Sequence, residues 1–306
     1  MWRDDPREYE PRRVDRSRGP SSPPRDGNAD PREVFTRDLD LPRGHQRQRV
    51  QVRTQTYELR GSESRTLATV GAFRVVPASD LRDDRNRPLD PRTSDLRHLR
   101  ESGLVRTMPY LIGRTRTTVV TLTERGRDVL EALRRESNGE RSQAFNQGVR
   151  NPRELAHDLM VYRAYLRTAD RLAERGATIR RVVLDDELKR EYQRFLQAAN
   201  RGRPDSDGQP IRDEDEIERW AIAHTLPYQD GHVQFPDVRI EFEDRDGRTA
   251  SEDVEVETPH YRGGHAAAKA HSGFTRYRSA GGRLGGSGGH AGGSAFDPGY
   301  AEDLLS

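Results

Sequence analysis

Between residues 64 and 135 the spacing of apolar side chains switches from helical to alternating and back to helical. Such switches require changes of element type, because helices and strands bury apolar residues with different periods. Leu67, Val70 and Phe73 recur at helical spacing, and a short helix is expected after Pro77. The next segment, 90–103 (DPRTSDLRHLRESG), has Asp90 as an N-cap, Pro91 at the first helical position and Gly103 as a stop. Leu96 and Leu99 face inward with Leu104, which leaves Arg92, Thr93, Asp95, Arg97 and Arg100 near or on the outer side. After Gly103, LVRTMPYLIGRTRTTVVTL reads as two strands around a turn near residues 113–116, with β-branched residues on the return arm. Arg114 and Arg116 sit at the tip. TERGRDVLEALRR then reads as a helix capped by Thr123, with Val129, Leu130 and Leu133 apolar.

Helix, helix, capped helix, basic-tipped hairpin and helix is the order of a winged helix-turn-helix, expected over residues 57–135. Its third helix suits a major groove, where arginine reads guanine edges bidentately. The wing would place Arg114 and Arg116 against phosphate or in a minor groove. Double-stranded DNA is therefore the expected partner. A winged helix used only for protein contacts is the competing reading, and Asp95 on the reading helix weighs slightly toward it. The segments LRHLRESGLVRT and LTERGRDVLEAL also resemble the MarR-type winged-helix family.

Charge supports a divided chain. Residues 61–135 hold 15 arginines against 10 acids, whereas residues 185–257 hold 21 acids against 10 bases. A basic module beside an acidic one fits a nucleic-acid reader joined to something else. With 31% hydrophobic and 34% charged residues, part of the chain is expected not to fold. Residues 1–50, rich in Arg, Asp and Pro, are expected to be a disordered tail, as are the Gly-rich residues 279–306. Residues 136–150 read as a polar linker. Cysteine is absent, which excludes disulfides and thiolate metal sites. No segment reaches the apolar length of a membrane span, and the N-terminus lacks the apolar core of a secretory signal. No membrane association and a cytoplasmic location are the expectations.

A second patterned region runs over residues 151–278. Asn151, Pro152 and Glu154 mark a helix start, followed by Leu155, Leu159, Tyr162, Leu166 and Ala169 at helical spacing. TIRRVVL (178–184) reads as a strand, 185–197 as an amphipathic helix and 213–224 as a short helix with acids at its start. In 235–257, Val238, Ile240 and Phe242 alternate with charged residues, and so do Val254 and Val256, which makes a β-hairpin. A three-residue loop with Gly247 left-handed pairs residue 244 with 248 and sets Asp237 opposite Glu255. A two-residue Asp246-Gly247 turn would shift the register and put these acids on opposite faces. Like charges held opposite each other invite a cation or basic group between them. Alternatively, Glu255 and Glu257 line a solvated strand face, and His157 is a structural histidine.

Pro236-Asp237, the strand pair, Glu255-Val256-Glu257, then a helix over HYRGGHAAAKAHSGFTRYR with Lys269 and Tyr277, resemble the PD-(D/E)XK nuclease-like fold. More narrowly, the arrangement resembles the replication-relaxation family of plasmids and conjugative elements, where a winged helix precedes such a core. His157 and Glu255–Glu257 match that family's histidine and acidic motif. The implied fold class is mixed α+β and α/β: a winged helix, a nuclease-like α/β domain and disordered tails.

If the resemblance extends to chemistry, Asp237 and Glu255 would hold Mg²⁺, which would activate water for phosphodiester attack. The family's usual lysine position carries Glu257, and Lys269 is the substitute on offer, so catalysis ranks below binding. Glu154 or Asp158 would supply a further acid. A site built on His260, His265 and His271 ranks low, because their spacing matches no strong motif. The expected function is DNA recognition in plasmid replication or transfer, with a homodimer or a relaxase or replication protein as further partner. The alternatives are a transcriptional regulator with a C-terminal partner or dimerisation domain, and a Mg²⁺-dependent endonuclease.

Overall fold

The computed structural model describes residues 31–82, 89, 95–112, 115–135, 141–201, 212–257 and 272–278, and these form a mixed α+β structure. A 3-10 turn (Pro31–Thr36) leads into a two-stranded ribbon, β1 (Gln48–Val52) and β2 (Gln55–Leu59). The expectation of disorder to residue 50 fails for residues 31–50. Phe35, Leu39, Leu41 and Val50 are each buried, so a few well-spaced apolar side chains anchor a segment that is polar on average. Residues 1–30 and 279–306 lie outside the described residues.

Helix α1 (Gly61–Ala72), strand β3 (Val76–Pro77) and a 3-10 turn (Ala78–Asp80) come next, the turn standing where a short helix was expected. Helix α2 (Asp95–Glu101) is described only from Asp95, so the expected cap Asp90 and Pro91 lie outside the described residues. Gly103 ends it in the left-handed conformation (φ +69°), as its position suggests. Strands β4 (Val105–Ile112) and β5 (Thr115–Leu122) pair antiparallel, and β3 joins β5 to give the order β3-β5-β4. Helix α3 (Glu124–Ala132) starts at Thr123, whose hydroxyl accepts from the Gly126 amide at 3.1 Å.

The expected linker is packed rather than free over residues 141–150. The Gln143 side chain pairs both ways with the Val182 backbone (2.9 and 3.0 Å) and so covers one edge of the second sheet. Phe145 is buried beneath Arg134. Residues 136–140 lie outside the described residues.

Helix α4 (Leu155–Glu174) follows a 3-10 turn capped by Asn151. Strand β6 (Thr178–Leu184) runs into α5 (Asp185–Ala198), and α6 (Glu214–Ala223) opens on an Asp213 capping box. A small hairpin, β7 (Tyr228–Gln229) with β8 (His232–Val233), precedes β9 (Val238–Glu243) and β10 (Thr249–Glu257). Strand β11 (Thr275–Arg278) runs parallel to β10, completing a four-stranded sheet in the order β11-β10-β9-β6. Residues 275–278 were expected in the helix bearing Lys269. They form a strand instead, with Tyr277 buried and Arg276 on the other face. Residues 258–271, including Lys269, His260, His265 and His271, lie outside the described residues.

One apolar core serves both patterned regions. The Phe73 ring at the end of α1 packs against Tyr162 (4.8 Å between centroids) and Tyr165 (5.0 Å) of α4, and Phe35 touches Phe73 edge-on at 5.8 Å. Burying rings of this size is worth roughly 2–3 kcal/mol each. A smaller cluster joins Val75 and Val119 to Leu155 and Leu159, with Met108 and Tyr110 of β4 packed on it. On the far face of the second sheet, Val183, Leu188, Trp220 and Leu226 form a separate core. Among the described residues no helix is long and apolar enough to cross a membrane.

Candidate nucleic-acid interface

Leu96 and Leu99 fix the roll of α2 by burying completely, and the same roll exposes Arg97 and Arg100. Arg97 pairs with Glu101 one turn on, at 2.8 Å, in the open. Asp95, expected outside, is instead 4% exposed and accepts from Arg60 at 2.5 and 3.1 Å. A salt bridge from the start of α1 therefore holds the first turn of α2, and the acid is withdrawn from the outer face. His98 faces β2 and donates from Nε2 to the Glu58 carbonyl at 2.9 Å.

In the β4–β5 hairpin Arg116 is exposed opposite Leu111, which is itself 51% exposed. Tyr110 and Met108, on the alternate face, pack against the start of α4. One face of the β4–β5 hairpin is thus propped by the second region while the other is open. Arg92, Thr93 and Arg114 lie outside the described residues.

The acids of the second region gather where α4, α5 and β9 begin. The hairpin register is the one a three-residue loop gives: Val238 pairs with Val254, the Asp244 amide donates to the Arg248 carbonyl at 2.9 Å, and Gly247 is left-handed (φ +79°). Asp237, one residue before β9, accepts from the Val256 amide at 2.8 Å. Its Oδ2 also lies 3.1 Å from His157 Nε2, so the basic group at Asp237 is His157. Burial works against charge on that imidazole, but bonds to Asp158 and Asp237 outweigh it and push its pKa up to about 10. Glu255 is 5% exposed and does not line a solvated face, while Glu257 lies 3.3 Å from Arg276.

Arg74, just past α1, reaches into the same region. It bonds Asp158 at 3.1 Å, Asp186 at 2.8 Å and Asp185. Burial disfavours its charge, yet Asp185, Asp158 and Asp186 together hold it more firmly protonated than a free guanidinium. Asp185 is correspondingly held below the usual carboxylate range: burial opposes ionisation, but Arg74 and Lys189 overcome it. Arg150 adds a contact to Asp186. Sequence reasoning placed Asp158 and His157 but missed Arg74, Asp185 and Asp186. The Asp185-Asp186 pair directly after a strand was a usable signal; Arg74 had none, because its partners lie 84 or more residues away.

Chemically, this cluster is neutralised by the protein's own cations. No group of three metal-binding side chains converges among the described residues. The carboxylate of Asp237 fits a divalent ion only if His157 gives up its proton or turns away. Comparison with protein-family models, with curated proteins and with solved structures finds no match.

Proposed function

We propose that this chain is a DNA-binding protein of a mobile genetic element, in which a winged helix reads duplex DNA and a nuclease-like core serves as a non-cutting partner module. The observation that carries the first part is the exposure of Arg97, Arg100 and Arg116 on elements whose opposite faces are buried. The sheet order β3-β5-β4, with α1, α2 and α3 placed around it in sequence, supports a winged helix. Withdrawal of Asp95 into the Arg60 pair removes the one feature that spoke against phosphate near α2.

For the second part, the order β11-β10-β9-β6, with β10 parallel to β11 and antiparallel to β9, supports the resemblance to the PD-(D/E)XK fold. The assignment to plasmid replication or transfer rests on the resemblance to the replication-relaxation family. A relaxase or coupling ATPase encoded next door would support it, and a metabolic operon would favour a plain regulator. A core that does not cut is supported by the pairing of Asp237 with His157 at 3.1 Å, which occupies the carboxylate a metal would need.

Fluorescence anisotropy with short duplexes tests the winged helix. Arg100→Ala combined with Arg116→Ala is expected to weaken binding about tenfold or more on every sequence and to flatten the salt dependence. Unchanged affinity rejects the assignment. For the core, supercoiled plasmid incubated with Mg²⁺ or Mn²⁺ is expected to stay intact. Nicking by the wild type that disappears in Asp237→Ala would establish an endonuclease instead.

A further inference from the structure

We propose that the β1–β2 ribbon is a second DNA-contacting element beside α2, an inference that rests on the winged-helix assignment above. The ribbon is amphipathic across its pleat. Val50, Val52 and Leu59 are buried in the main core, while Arg49, Gln51, Thr56 and Glu58 stand on the opposite, exposed face. Its position is fixed against the reading helix by two bonds, His98 to the Glu58 carbonyl and Arg60 to Asp95. Ribbon and helix are therefore held in one register.

Charge on the ribbon suits phosphate. Residues 45–60 carry Arg47, Arg49, Arg53 and Arg60 against a single acid, Glu58. Arg47 and Arg60 are committed to Glu63 and Asp95. The other two guanidinium groups are the open ones: Arg49 is 83% exposed with Glu58 at 3.7 Å, and Arg53 is 79% exposed with Asp128 at 3.4 Å. Both contacts are loose pairs in water, which contribute little and exchange readily for phosphate. Arg49 on β1 and Arg53 in the loop that follows it are four residues apart, at most roughly 13 Å of chain, a span that reaches separate phosphates.

The tip supplies an independent sign. Val52 pairs with Gln55, so Arg53 and Thr54 form a two-residue loop, and Arg53 takes φ +51°. Glycine or asparagine fills such a position without strain. An arginine there is a strained residue at an exposed tip, a pattern that accompanies contact sites. A two-stranded ribbon has the width a major groove admits, and its polar side chains are those that bond bases and phosphates.

The test uses the full chain, random-sequence duplex and anisotropy between 50 and 200 mM salt. Arg49→Ala with Arg53→Ala is expected to weaken binding about tenfold and to reduce the slope of log K against log salt by roughly 2. Arg49→Lys with Arg53→Lys is expected to restore most of both. Wild-type binding that is lost in Arg100→Ala/Arg116→Ala but unchanged in slope and affinity in Arg49→Ala/Arg53→Ala overturns the ribbon and leaves the winged helix standing. Absence of binding by the wild type overturns both.

Discussion

His157 sits between two carboxylates, and this sets a pH dependence with a definite sign. Its folded pKa of about 10 lies above the ordinary histidine value, so the imidazolium stabilises the fold. That contribution is complete below pH near 6.5 and is lost as pH rises through about 10. The urea midpoint of the wild type is therefore expected to fall between pH 7 and 10, and that of His157→Gln to fall less. NMR of the ring should find it still protonated at pH 8; a titration near 6.5 would remove the ion pair with Asp237 from the account. Arg74 acts at the same scale with larger consequence. Arg74→Ala leaves Asp158 and Asp185 partly buried without their shared cation, and truncating one side of a buried pair costs about 3–5 kcal/mol. Arg74→Lys is expected to recover only part of that in a urea melt, because a single ammonium cannot fork to three carboxylates.

At the scale of elements, α3 is seated by its first turn. Thr123 caps it, and a Cβ on Gly126 would lie 2.1 Å from the Leu104 carbonyl oxygen. Gly126→Ala is thus expected to push α3 off the turn between α2 and β4 and to lower the thermal midpoint far more than Thr123→Ala, whose lost cap costs about 1 kcal/mol. Equal effects in the two variants would mean that the helix shifts freely. Elements like α3 were legible in the sequence because local signals set them. The strand 178–184, the Asp213 start of α6 and the three-residue loop around Gly247 have their expected bounds. Elements set by distant partners were not. Strands β1 and β2 were missed although Val50 and Val52, then Tyr57 and Leu59, alternate, because each run is only five residues long and lies in an Arg-rich stretch. Strand β11 exists because β10 offers it an edge; Thr275 and Tyr277 favour a strand, but four residues are too few for that alternation to separate strand from helix. The site divides in the same way. His157 and Asp237 were found from helix start and hairpin register, whereas Arg74, Asp185 and Asp186 meet only through tertiary packing.

The two patterned regions, which the sequence reads as domains joined by a polar linker, are tied together by direct packing. Phe73 and Phe35 share a ring cluster with Tyr162 and Tyr165, and Arg74 clamps the acids at the starts of α4 and α5. Met108 and Tyr110 lay one face of the β4–β5 hairpin on α4. A first patterned region that moved independently of the second would have to expose these rings to water, at roughly 2–3 kcal/mol for each large side chain uncovered. Residues 31–278 are therefore expected to unfold as one unit. Trp220 fluorescence reports the far core around α5 and α6, and far-ultraviolet circular dichroism reports all the helices, so coincident transitions in urea are the expected result. Phe73→Ala, a truncation in the shared cluster, should lower both midpoints together, by about 3–5 kcal/mol in stability. A fragment of residues 57–135 should lack a cooperative transition, because it loses Phe35, Tyr162 and Tyr165 at once. Should that fragment fold and bind DNA with full affinity, the core would be an attachment and not a support. The open face of the β4–β5 hairpin would then need another explanation for its fixed orientation.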